Sequence, residues 1–184
     1  MPALDPELKK AIGRMPETEK DKLLLRLIAK DPTLTEKLQF ELVEERSTVD
    51  ERRQIIREYT DRVARLYQDT PGWVMMDMRS VSGYITRHMK VTKDAYGEVD
   101  LSVHMINTFY EHHFDQLRFY DRRSDKAAQY IAKRADQILK KLYKLDPDYY
   151  LEFENDVNKM LTNVYKSCAQ HYARQLDLPH SWSA

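Results

Sequence analysis

The 184-residue chain carries 30 basic and 30 acidic side chains, for a formal net charge of zero and a pI near 7.0, which argues against a dedicated nucleic-acid binder held by overall charge. Leu, Ile, Val and Phe together number 42, and twelve Tyr and eight Met add apolar bulk, so one folded domain spanning 1–184 is expected rather than a disordered chain. Cys168 is the lone cysteine and no apolar run reaches the ~18 residues that a membrane helix needs. Residues 1–13 carry acids and prolines where a signal peptide would need an apolar run. A soluble, cytoplasmic protein with no membrane partner is the expectation.

In chain order, the helix starts are marked by proline. Asp5-Pro6, Met15-Pro16, Asp31-Pro32 and Asp146-Pro147 each place proline in a first turn, where its missing N–H had no partner. An aspartate before it can accept from the free amides. Thr48-Val49-Asp50-Glu51 reads as a capping box, and Ser124 as a further cap.

Apolar spacing between these starts is helical. Leu23, Leu24, Leu27 and Ile28 form one stripe, and Leu34, Leu38 and Leu42 the next. Ile55, Ile56, Tyr59, Val63, Leu66 and Tyr67 form a third, and Phe153, Val157, Leu161, Val164, Cys168 and Tyr172 a last long one. Short connections such as Lys30-Asp31 make neighbours antiparallel. The expected fold is all-α: about seven helices in consecutive antiparallel hairpins, as an irregular bundle or a short α-solenoid.

Residues 71–120 differ from the rest, with three of the four glycines, five methionines and four histidines. Val99, Leu101, Val103 and Met105 alternate like a strand, while Val99, Val103, Ile106, Tyr110 and Leu117 repeat like a helix. Helix is preferred because the pattern runs for five turns, with a hairpin across 93–97 as the alternative. Pro71-Gly72-Trp73 reads as a helix start carrying a buried aromatic.

The strongest asymmetry follows. Arg122, Arg123, Lys126, Lys133, Arg134, Lys140, Lys141 and Lys144 lie among only two acids, a local charge of +6. At about 100° per residue they share an arc of about 120°. Ala127, Ile131, Ala135, Ile138, Leu142 and Leu145 occupy the opposite arc. Such a ridge suits an acidic protein surface, a second copy of the chain, or the phosphates of nucleic acid. The acid-rich stretch 146–184 and the cluster Glu41, Glu44 and Glu45 are complementary surfaces. Phe114, Phe119 and Tyr120, just ahead of the ridge, are candidate apolar anchors.

A second constellation is Glu41-x-x-Glu44 followed by Glu58-x-x-Asp61. It resembles the acidic signature of the all-α nucleoside triphosphate pyrophosphohydrolases. That resemblance spans about twenty residues and implies Mg²⁺ held by converging carboxylates on two helices. On the helix faces read here, Glu44 and Asp61 point away from the apolar arcs, which favours the binding role.

Other chemistry has less support. His104 and Glu111 share a polar stripe with Asp100 and Asp115, but seven residues separate them, about 10.5 Å of rise, too far for one metal with ligands at about 2 Å. His112 and Asp115 supply two ligands at most, and His113 faces the apolar side as a core histidine. Cys168 on an apolar stripe is an inert thiol, and Ser80-Val81-Ser82-Gly83 lacks the context of a nucleophile elbow. The expected function is therefore a non-enzymatic binding or adaptor role with no metal or cofactor. Its contact residues would be Arg122, Lys126, Lys133, Arg134, Lys140, Lys141 and Lys144. The Mg²⁺-dependent pyrophosphohydrolase using Glu41, Glu44, Glu58 and Asp61 is the alternative.

Overall fold

The computed structural model describes residues 4–44 and 48–183 and is all-helical among them. Nine α-helices are present there: α1 Pro6–Arg14, α2 Glu17–Ile28, α3 Pro32–Leu42, α4 Thr48–Ala64, α5 Pro71–Thr92, α6 Ala95–Leu117, α7 Asp125–Leu142, α8 Tyr150–Tyr165 and α9 Gln170–Gln175. A single 3-10 turn, Pro147–Tyr149, precedes α8. The chain forms two compact units, Met1–Glu45 and Arg46–Ala184.

The aspartates before proline cap as their chemistry predicts. Asp5 accepts from the amides of Glu7 and Leu8 at 2.8 and 3.1 Å, Asp31 from Thr33 and Leu34 at 3.0 and 3.1 Å, and Asp146 from Asp148 at 3.1 Å. Thr48 opens α4, and residues 45–47 before it lie outside those described. One other expected cap differs. Ser124 occupies the N-cap position of α7, but its hydroxyl bonds within the preceding turn, to Phe119 and Asp121.

In the first unit α2 packs on α3, joined where the Thr35 hydroxyl donates to the Ile28 carbonyl at 2.8 Å. None of its three helices has a fully buried residue. Of the α2 stripe, Leu23 and Ile28 are half-buried, while Leu24 and Leu27 are more than half exposed. Helices of 9, 12 and 11 residues do not enclose a core of their own.

The second unit has its core around α6, which packs against α4, α5, α7 and α8. Leu101, Met105, Ile106 and Phe109 on α6 are fully buried. One helix with four neighbours makes this a bundle rather than a stack in which each repeat touches only the next.

The alternating stretch 99–105 is helix, and α5 runs on to Thr92, so 93–97 is not a strand hairpin. The chain turns there at Lys93, whose φ of 61° is left-handed, and Asp94 then caps α6 through the Gly97 amide at 2.9 Å.

Three expectations need correction. The buried face of α4 is Ile56, Thr60, Val63 and Ala64, while Ile55, Leu66 and Tyr67 are exposed. Trp73 opens α5 but is 60% exposed rather than buried. The last stripe is not one helix: α8 ends at Tyr165, and Cys168 and Tyr172 belong to a turn and to α9. The Ser167 hydroxyl, bonded to the Val164 carbonyl, and the Cys168 amide, donating to the Leu117 carbonyl at 2.8 Å, hold that break. No described helix is long and apolar enough to cross a membrane.

Candidate binding surface

Helix α7 is built to lie close to its neighbours on one side and to face water on the other. Ala127, Ala128, Ile131, Ala132, Ala135, Ile138, Leu139 and Leu142 are buried. Four alanines on that face let the backbone approach α5 and α6 without a side chain between. The cations then fall outward by helical period.

The structure sorts the seven predicted contact residues into two groups. Arg134, Lys140 and Lys141 are engaged. Arg134 folds back so that Nη2 donates to Ser102 Oγ at 3.2 Å, while its Nε is buried without a partner. Lys141 Nζ sits 2.6 Å from Glu98 Oε1, an ion pair between α7 and α6 with the carboxylate 10% exposed. Lys140 pairs with Asp136 one turn earlier at 2.7 Å and remains 70% exposed, a contact that contributes little.

Arg122, Lys126, Lys133 and Lys144 are exposed and form no ion pair among the described residues, although the charge of Lys126 is felt by Asp125 beside it. Lys126 and Lys133 lie two turns apart, about 10.5 Å along the axis. Arg122 precedes α7 and Lys144 follows it in the turn after Leu142, so neither belongs to the helix. Asp125, the acid at the head of the ridge, accepts from the hydroxyls of Tyr120 and Tyr172, each at 2.7 Å. These two bonds hold its pKa below the usual aspartate value. Of the expected anchors, Phe119 and Tyr120 are 71% and 53% exposed, whereas Phe114 packs against the core.

The four carboxylates of the alternative reading divide between the two units. Glu41, on α3, pairs with Lys37 at 3.5 Å, and Glu44 follows that helix. Glu45 lies outside the described residues. On α4, Glu58 accepts from Gln54 at 2.9 Å and Asp61 sits 2.8 Å from His104 Nε2. Asp61 is thus turned toward α6, not away from the core as its helix-face position suggested. Among the described residues no group of three or more His, Cys, Asp or Glu side chains could hold a metal ion.

Three of the four polar-stripe residues of α6 engage neighbours, while Asp115 is exposed. Asp100 pairs with Arg57 at 2.5 Å, His104 with Asp61, and Glu111 with Lys159 at 2.5 Å. His113 is a core histidine, as expected, but not a satisfied one: its Nε2 has no partner, and α6 departs from helical geometry there at φ −129° and ψ 25°. Burial pushes its pKa down. Cys168 is buried, and that burial pushes the thiol up to about 11.

Neither helical period nor any motif reveals the partners of Arg53. Arg53 grips Asp94 with two hydrogen bonds, Nε to Oδ2 at 2.6 Å and Nη2 to Oδ1 at 2.7 Å, and His88 Nε2 meets the same carboxylate at 2.9 Å. With Arg57–Asp100 and Asp61–His104 this forms a charged seam along α4 and α6. Arg53, Arg57 and Asp61 recur every four residues on α4, the one sequence signal that marked a common face.

The chain matches no protein-family model, no curated protein and no solved structure.

Proposed function

We propose that the protein is a non-enzymatic binding module, and that the outer face of α7, with Arg122 ahead of it, docks an acidic protein surface. The observation that carries this reading is the separation within the ridge. Three cations are used internally, whereas Arg122, Lys126, Lys133 and Lys144 stand in water and form no ion pair among the described residues. Lys126 and Lys133 on α7, with Arg122 before it and Lys144 in the turn after it, form a row of cations that steers an acidic partner and sets its register. A protein partner is favoured over nucleic acid because the whole chain has zero net charge and so lacks long-range attraction for a polyanion. The acid-rich stretch 146–184 makes a second copy of this chain one such acidic surface.

The test is fluorescence anisotropy of a labelled glutamate-rich peptide and of a labelled oligonucleotide, at low and near-physiological salt. Salt-sensitive peptide binding is expected. A Lys126→Glu, Lys133→Glu, Lys144→Glu variant should weaken it roughly tenfold or more. Preference for the oligonucleotide would make the ridge a phosphate-binding surface instead. Sedimentation over a concentration series reads out self-association. Pyrophosphate release from nucleotides with Mg²⁺, lost in Glu58→Gln, would replace the binding role with the hydrolase.

A further inference from the structure

The segment after α6 and the turn between α8 and α9 face each other across an open cleft of about 400 Å³, within the range of roughly 300–1,000 Å³ typical of small-ligand sites. Its walls are Arg118, Phe119, Tyr120, Tyr165, Lys166 and His171. Ser167 and Cys168 also line it and are buried. The Cys168 amide bonded to the Leu117 carbonyl ties the two sides together.

The charge of the walls is one-sided. No Asp or Glu lines the cleft. Arg118 and Lys166 have no carboxylate partner among the described residues. Each is the C-cap of its helix, α6 and α8. A helix C-terminus presents about half a negative charge, so two termini offset about one of the two positive charges and leave about one for a ligand. His171, whose Nε2 pairs with Gln175 Nε2 at 2.9 Å, keeps its other ring nitrogen for a ligand.

The apolar part of the walls is flat and exposed. Phe119 is 71% exposed, with the Arg118 guanidinium 4.9 Å from its ring centre. Tyr120 is 53% exposed and held by its hydroxyl on Asp125. Tyr165 is fixed on the other side, stacked on His180 at 3.9 Å with its hydroxyl donating to the Leu178 carbonyl. Rings anchored beside unpaired cations suit a ligand with a planar base and a phosphate.

We propose that this cleft binds a nucleoside monophosphate. Arg118 and Lys166 hold the phosphate, and the base stacks on Phe119. Guanidinium and phosphate meet edge to edge through paired N–H donors, which a stacked arginine leaves free. Stacking is tolerant of the base, so the walls select the class and not the nucleobase. The cleft shares Phe119 and Tyr120 with the expected anchors of the α7 surface but none of its cations, since Lys126, Lys133 and Lys144 do not line it.

The experiment is isothermal titration of the full chain with adenosine monophosphate at low salt, with adenosine and inorganic phosphate as separate probes. Circular dichroism verifies the fold of each variant. Saturable one-site binding is expected, weakened roughly tenfold by Arg118→Gln and by Lys166→Gln. Phe119→Ala should also weaken it, adenosine should bind far less well, and inorganic phosphate should compete. Lys133→Glu should leave binding unchanged, which separates this site from the ridge. The proposal is overturned by absence of saturation at millimolar nucleotide or by binding that survives both Arg118→Gln and Lys166→Gln. Equal binding of phosphate alone, or equal loss in Lys133→Glu, overturns it as well.

Discussion

Replacing Asp94 by asparagine tests the charged seam while sparing the helix start. Asparagine caps a helix nearly as well as aspartate, so the bond to the Gly97 amide can persist and the loss is confined to the ion pair. The Asp94 side chain is 7% exposed and Arg53 is 24% exposed. Removing one member of a largely buried pair costs about 3–5 kcal/mol, and because Arg53 is partly exposed and keeps Asp50 at 3.1 Å the loss falls at the low end, about 3 kcal/mol. For a chain of this length that corresponds to a fall in Tm of about 6–12 °C.

Both tryptophans, Trp73 and Trp182, belong to the second unit, so urea unfolding followed by tryptophan fluorescence reports on the part of the chain that holds the seam. The pH dependence supplies a sign. Burial raises the Asp94 pKa, but the bonds from His88, Arg53 and the Gly97 amide outweigh it and hold the carboxyl well below its ordinary value. A depressed folded pKa gives stability that is fully present above the unfolded value of about 3.9 and is lost as pH falls through the folded one. The gap between native protein and Asp94→Asn should therefore close in acid, below pH ~4. A loss under about 1 kcal/mol at neutral pH, or an Arg53→Met, Asp94→Asn cycle with no coupling, would refute the reasoning.

Further outcomes follow from the same packing. A Cβ on Gly97 would sit 1.9 Å from Asp94 Oδ2 and 2.6 Å from Arg53 Nε, so Gly97→Ala should destabilise by about 2–4 kcal/mol in the same urea assay. Tyr110→Phe removes a hydroxyl buried 2.7 Å from Ser167 Oγ and should cost about 1 kcal/mol, since Ser167 keeps its bond to Val164. The Cys168 thiol, pushed up to about 11 by burial, should react slowly with a disulfide reagent at mildly alkaline pH and rapidly once the protein is unfolded in urea.

What the sequence determined by itself was local. The caps of Asp5, Asp31 and Asp146 involve amides two or three residues away, so residue order alone places them. The buried and basic faces of α7 follow from a period of 3.6 residues and need no knowledge of the neighbours. Tertiary structure decided which charges remain free. Lys141 meets Glu98 across 43 residues of sequence and Arg53 meets Asp94 across 41. Those pairings depend on how rigid helices come to rest against one another. The same holds for the stripes of α2 and α4, where period named a face but only the packed neighbours settled which leucines and isoleucines left water. The cleft beside Phe119 is wholly a product of packing. Its two walls are about fifty residues apart in the chain and share no pattern that a helical period could reveal.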